Sequence, residues 1–406
     1  MRIGFYGNFG AGNLGNECTL QAIIEQVLRD QPGAQLLCFC TNPEDVRARH
    51  QIAAVPSTVV RSAPGSGAPA RSGGLTRIFR ILFRWIPLEL AQWVRSIGPM
   101  SRTDVFMVAG TGIIADYLNG PMGWPYEIFR LSLLAGILRT KVVFLSVGAG
   151  PISHPLSRWF FKRSLGIAHF RSYRDQASRD CLESIGFDTS RDTVCPDVVF
   201  GLAPGNLPQP TAGSRERRII GLGLKDYGSA DYLRTMAEFI SWLHAQGYSV
   251  RLLIGDMRYD NPVIAEFVGL LQELGISTRE PLLLVEPVRT VVELLRQLAD
   301  TEVVISARYH NLVMGLIQGK PVIALSDHAK LDSLVSDFGL ARYRLPLANL
   351  TAEGLIERFK ELQSDLDRLR PFVREGVERY RQELDRQYEL FFDSLGAAIP
   401  SARTAG

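Results

Sequence analysis

The stretch EVVISARYHNLVMGLIQGKPVIAL, residues 302–325, decides the fold. An apolar run around Val303 to Ile305 leads into a short polar turn, a helix-length segment and a second apolar run, Val322 to Leu325. Strand, turn, helix and strand in that order make the unit from which parallel, helix-covered sheets are built. In such sheets ligands bind beyond the carboxyl ends of the strands, where the chain enters the next helix and its amides point outward unpaired. The turn Ser306-Ala307-Arg308-Tyr309-His310 stands at such an end. A guanidinium can fork onto a phosphate or carboxylate through two parallel hydrogen bonds, and it does not titrate in the working range. An imidazole, with an unperturbed pKa of about 6.5, can both give and take a proton near neutrality. Either residue alone reads as structural, an ion pair or a helix cap; together at one strand end they point to an anion site.

Outward from this unit the alternation continues in both directions. Strands are expected at Ile219 to Leu224, Val250 to Ile254 and Leu282 to Val285, with helices between them. The residues following these strands include Lys225 and, after Val322 to Leu325, Lys330, so that a cationic rim gathers at one edge. Before residue 202 the expected strands are Ile3 to Tyr6, Gln35 to Phe39, Val105 to Val108, Val142 to Val147, Phe170 to Tyr173 and Val194 to Phe200. Residues 202–217 hold three prolines and two glycines without apolar periodicity, the composition of a linker. The expected organisation is therefore α/β, two doubly wound Rossmann-like domains: residues 1–201, a linker at 202–217, and residues 218–350. Charged helices follow at 351–396, interrupted by Pro371, and then a disordered tail at 397–406.

Composition narrows the class. The chain has 406 residues, 46% hydrophobic and 21% charged, the usage of folded globular proteins and not of disordered chains. Forty-five basic against 42 acidic residues leave a net charge of +3, too little to argue for nucleic acid as a partner. The five cysteines include no C-x-x-C pair or zinc-spaced cluster, so no metal is expected and a reducing compartment fits. The N-terminus runs into a glycine loop instead of a secretory apolar segment, and no run of about 18 apolar residues occurs; the expected localisation is cytoplasmic. Residues 60–74, rich in Gly, Ser, Pro and Ala, read as a flexible loop. The apolar segment at 75–97 carries Arg77, Arg80 and Arg84 on one helical face together with Trp85 and Trp93. It reads either as a helix lying on an anionic membrane, making the protein peripheral there, or as a core helix with a basic solvated face, and Pro87 would break or kink one long helix.

At the N-terminus Gly10, Gly12 and Gly15 match G-x-G-x-x-G between a strand and a helix, the context of a dinucleotide fingerprint. The acidic residue such a site wants after the second strand is absent, for the chain reads Cys40-Thr41-Asn42 there. The glycines could equally let backbone approach a sugar, with Asn13, Asn16 and Glu17 bonding its hydroxyls. Two further glycine loops, Gly110-Thr111-Gly112 with Asp116 and Gly148 to Pro151, would face the same cleft, or serve only as tight turns. Arg174, Asp175 and Asp197 read as structural.

In Gly10 to Glu17, Gly110 to Asp116, Arg174-Asp175 with Ser178, Pro196-Asp197 and Ser306-Ala-Arg308-Tyr-His310, the sequence resembles the polysaccharide pyruvyltransferase family, over most of the chain to about Leu340. The resemblance implies a GT-B-like fold, two domains facing a cleft, with the donor phosphoenolpyruvate on the second and an acceptor sugar opposite. It implies transfer of a pyruvyl group to a polysaccharide or its lipid-linked precursor as a ketal, with no cofactor. Donor contacts would come from Ser306, Arg308, Tyr309, His310, Lys225 and Lys330, with Arg308 and His310 catalytic and His310 the general acid. Acceptor contacts would come from Asn13, Asn16, Glu17, Gly110, Thr111 and Asp116. Lys225 stands where the family often has Arg, and Asn16 where it usually has Asp. A nucleotide-sugar glycosyltransferase on the same fold is the alternative, followed by a sugar-binding protein and an NAD-dependent oxidoreductase.

Overall fold

The computed structural model describes residues 1–58, 86–118, 120–214 and 216–396. The loop expected at 60–74, the tail at 397–406 and residues 75–85 of the apolar segment lie outside them. The chain divides into two compact units, Met1–Ala11 with Gln26–Cys195 and Tyr388–Gly406, and Gly12–Glu25 with Pro196–Gln387.

The first unit carries a seven-stranded sheet. Its strands are β1 (Arg2–Tyr6), β2 (Gln35–Cys40), β3 (Ala53–Pro56), β4 (Val105–Val108), β5 (Lys141–Val147), β6 (Phe170–Tyr173) and β7 (Thr193–Val194). All neighbours pair in parallel, in the order β3-β2-β1-β4-β5-β6-β7. Every residue of β4 is buried, as expected of a strand covered on both faces. Helices α2 (Pro43–His50), α3 (Ile86–Ser101), α4 (Trp124–Ile137), α5 (Pro155–Ile167) and α6 (Gln176–Ser184) connect the strands. Pro87 is the second residue of α3 as described, a position where no amide hydrogen is needed within it.

The second unit carries six parallel strands in the order β10-β9-β8-β11-β12-β13. They are β8 (Ile219–Gly223), β9 (Ser249–Leu252), β10 (Leu283–Leu284), β11 (Thr301–Ser306), β12 (Val322–Ser326) and β13 (Arg344–Pro346). The helices are α7 (Ala230–Ala245), α8 (Met257–Glu273), α9 (Val291–Ala299), α10 (Tyr309–Ile317), α11 (Ala329–Asp337) and the long α12 (Ala352–Ser394), whose residues from Tyr388 on group with the first unit.

Three expectations are corrected. Residues 194–200 are not one strand: β7 stops at Val194, and beyond Pro196, which has no amide hydrogen to donate, Val198–Gly201 forms a 3-10 turn capped by Asp197. Pro371 does not interrupt α12, because it lies on the solvent face where water can satisfy the carbonyl it leaves unpaired. The first helix, α1 (Leu14–Asp30), does not group wholly with the first sheet. Its start is tied into the second unit: the Leu14 amide donates to the Gly255 carbonyl at 2.9 Å, and the Met257 amide to the Gly12 carbonyl at 3.0 Å.

Candidate active site

In the second sheet the chain winds outward from β8 through β9 to β10 and then returns to β11 on the other side of β8. The carboxyl ends of β8 and β11 therefore flank the switch point where doubly wound sheets bind ligands. Register pairs Gly223 with Ser306 there, so Lys225 and Arg308 leave adjacent strand ends. The Arg308 amide donates to the Ser306 hydroxyl at 2.9 Å, and that hydroxyl donates to the Gly223 carbonyl at 3.2 Å. Ser306 thus braces the turn. The Arg308 guanidinium donates from Nη2 to Asp260, a fully buried carboxylate on α8 that also accepts from the Gly255 and Asp256 amides at 2.8 Å each. Burial pushes the Asp260 carboxyl above its ordinary range, against the opposing pull of Arg308 and the two amides. Arg308 is held on one side only, for its Nε makes no hydrogen bond among the described residues and its side chain is 22% exposed.

His310 sits in the first turn of α10. Its Nε2 lies 3.8 Å from Oδ2 of Asp197, an ion-pair separation longer than a direct hydrogen bond. Asp197 is itself fixed, accepting from the Val199 amide at 3.0 Å. On its other nitrogen the imidazole packs against Gly15 of α1, where a β-carbon would overlap the ring. The third glycine of the G-x-G-x-x-G run is thus accounted for by a histidine, while Gly10 and Gly12 adopt positive φ in the turn before the helix. Tyr309 stands edge-on to His310, with ring centroids 5.3 Å apart.

Lys225 pairs with Asp327, and His328 lies 3.5 Å from the same carboxylate oxygen. Burial pushes the His328 imidazole below its usual range, against the opposing pull of Asp327. Lys330 stands in the first turn of α11. A cavity of 350 Å³ adjoins the Lys225 and Asp327 pair, lined by Tyr227, Asp327, His328, Asp332 and Arg344. On the other flank Asn311 is fully buried, its amide so close to Gly223 and Gly255 that a β-carbon there would lie 2.5 Å from Nδ2 and 2.8 Å from Oδ1. Neither amide atom has a hydrogen-bond partner among the described residues. A buried amide left so is costly, which marks a place for a ligand group or an ordered water.

Of the residues expected to meet a sugar, Asn13, Asn16 and Glu17 belong to the second unit, in the helix start that meets His310. Asn13 has both side-chain ends occupied: Nδ2 donates to Asp256 at 2.8 Å and Oδ1 accepts from the Asn16 amide at 3.0 Å. Glu17 is fully buried. Gly110, Thr111 and Asp116 belong to the first unit, on the loop after β4. There Asp116 accepts from the Ser153 and His154 amides, the latter at 2.8 Å. Although burial opposes it, these bonds hold the Asp116 carboxyl below its ordinary range. In the same unit Gly148 leaves room for the Arg174 guanidinium, whose carbon would lie 2.6 Å from a β-carbon there.

Neither Asp260 nor Asn311 stands out in the sequence, and Asp197 reads there as structural. The short Pro196-Asp197 motif was a usable signal for Asp197, whereas Asp260 lies 48 positions before the arginine it holds, with no local pattern to announce it.

A sequence model described as polysaccharide pyruvyl transferase matches residues 13–328. Among curated proteins none matches the chain by sequence. Solved structures share the fold at low identity. A glycosyltransferase from Rickettsia africae superposes with a TM-score of 0.63 at 13% identity, over 98% of this chain and 99% of its own. The UDP-GlcNAc 2-epimerase of Neisseria meningitidis, solved bound to UDP-GlcNAc, gives 0.61 at 13% identity over 97% and 100%. Anabaena HepE, in complex with UDP and glucose, gives 0.59 at 12% identity over 98% and 100%.

Proposed function

The chain belongs to the polysaccharide pyruvyl transferase family, and from that premise we propose that it moves the pyruvyl group of phosphoenolpyruvate onto two hydroxyls of a sugar in a polysaccharide or its precursor. The observation that carries this reading is the anchored Arg308, with its buried Nε unbonded among the described residues, two residues from an imidazole backed by a carboxylate. A guanidinium fixed by Asp260 on one edge offers the other to an anion without reorganising, which is how a preorganised site stabilises developing charge. Lys225, on the adjacent strand end, supplies a second cation for a donor that carries both phosphate and carboxylate.

In the proposed reaction protonated His310 delivers a proton to the methylene carbon of the enol phosphate. Positive charge develops on the carbon bearing phosphate, a sugar hydroxyl adds there and returns its proton to the imidazole, phosphate leaves, and a second hydroxyl closes the ketal with its proton passing to the departing phosphate. Asp197, 3.8 Å behind the ring, supplies the counter-ion for the imidazolium of the first step. No redox change occurs, and the reaction proposed uses no cofactor. The setting proposed is the cytoplasm.

Thermal denaturation with ligands tests donor class directly, since a ligand stabilises the state it binds. Phosphoenolpyruvate should raise the unfolding temperature of the wild type, and Arg308→Lys, which replaces the fork by a point charge, should lose most of that shift. Protection by uridine diphosphate and none by phosphoenolpyruvate would favour a nucleotide-sugar glycosyltransferase, the reading suggested by the UDP in two of the structural relatives.

A further inference from the structure

Helix α3 exposes an apolar stripe. Ile86, Leu90, Val94 and Ile97, spaced four, four and three residues apart, fall on one helical face, and Leu90 and Val94 are 60% and 66% exposed. A second exposed apolar edge lies on α5, where Leu156 and Trp159 face solvent. The two are joined across α4 by a chain of aromatic contacts. The Trp93 indole donates to the Tyr126 hydroxyl at 3.3 Å, Tyr126 meets Phe160 at 5.4 Å between centroids, and Phe129 meets Trp159 at 5.1 Å.

The exposed charges on these two helices have one sign. Arg95 is exposed on α3, and Arg158 and Arg163 on α5, with the Arg163 guanidinium 5.7 Å from the Trp159 ring centre. Helix α5 contains no acidic residue, and the single one in α3, Glu89, is turned inward, accepting from the Tyr126 hydroxyl at 2.7 Å and pairing with buried Arg130. Exposed aliphatic and tryptophan side chains bordered by arginines, without acids, are the composition of a surface that settles into the boundary between anionic headgroups and acyl chains. A protein partner of ordinary mixed charge would not require this one-sidedness. No helix among the described residues is long and apolar enough to cross a membrane, so the contact would be peripheral.

We infer that the α3 and α5 face docks this protein on an anionic lipid bilayer. The start of α5 follows β5, and the start of α3 lies a helix length before β4, so Leu90, Leu156 and Trp159 stand at the carboxyl end of the first sheet. The loop bearing Gly110 and Asp116 leaves the sheet at that same end, with Tyr117 and Leu118 exposed beside it. Docking there brings that loop to the headgroup layer, where a lipid-linked sugar would present its hydroxyls; this last step rests on the proposed function, whereas the docking itself does not.

Co-sedimentation of the full chain with vesicles tests the docking. Binding to phosphatidylcholine vesicles containing phosphatidylglycerol is expected, with little binding to phosphatidylcholine alone and release by high salt. Leu90→Glu with Val94→Glu should abolish binding without lowering the unfolding temperature, because both side chains already face solvent. Arg158→Glu with Arg163→Glu, a second variant at exposed positions, should weaken binding by about fivefold or more for each cation removed. Absence of sedimentation with anionic vesicles, equal binding to both vesicle types, or unaltered binding by both variants would overturn the inference. So would wild-type self-association that the Leu90→Glu, Val94→Glu variant abolishes without any vesicle binding. Phosphoenolpyruvate is absent from the assay, so the donor reading stands or falls separately.

Discussion

Arg308 and His310 are held by different means. The arginine is clamped by a buried carboxylate in direct contact, while the histidine has Asp197 at 3.8 Å behind one nitrogen and the backbone of Gly15 against the other. A carboxylate at that distance can pair with the ring while it carries the proton it is to deliver, and Asp197→Asn removes that pairing. Asp197→Asn keeps the cap on the turn at residues 198–201, because asparagine caps as well as aspartate, and changes only the charge. With His310 acting as general acid, kcat of this variant should fall roughly tenfold or more while its unfolding temperature stays near wild type, a fraction of the hundred- to ten-thousandfold that positioned proton transfer supplies. An unchanged kcat would reduce Asp197 to a structural cap.

At the scale of elements, the site depends on two helix starts meeting, α1 at Gly15 and α10 at His310. Gly15 has ordinary helical backbone, so alanine there should favour the helix itself by about 1 kcal/mol. Its β-carbon nevertheless overlaps the imidazole, and crowding of this kind typically costs about 1–3 kcal/mol or displaces the side chain. Gly15→Ala is expected to remain folded and to lose most of its kcat; full activity with a raised unfolding temperature would show that the two helix starts do not constrain the ring. This contact explains what was legible beforehand and what was not. The interior strands β1, β4, β5, β8, β11 and β12 were readable because both faces are buried and the residues run almost wholly apolar. The edge strands β3 (AAVP) and β13 (RLP) carry no such run. Arg308 and His310 were readable because they follow an interior strand. Their partners Asp260, Asp197 and Gly15 come from distant segments, and the glycine spacing that suggested a dinucleotide site has its explanation in a side chain 295 positions later.

Over the whole molecule, each sheet reverses strand order once, at β1 and β4 in the first and at β8 and β11 in the second, and the expected site residues end or follow those strands in the chain, apart from Lys330, which follows β12. The two sheets were separable in the sequence by the proline-rich stretch at 202–217, but the compact units were not, because the start of α1 is bonded to the turn between β9 and α8. Such long-range backbone pairing leaves no trace in composition. The most direct measurement is of transfer itself: phosphoenolpyruvate labelled in its pyruvyl carbons, incubated with glycan extracted from source cells in which the gene is disrupted. Wild-type protein should place label in the glycan with equimolar release of phosphate, and folded His310→Ala should not. Label that never reaches the glycan with the wild type, or reaches it at the wild-type rate with His310→Ala, would contradict a site built on Arg308 and His310 for pyruvyl transfer.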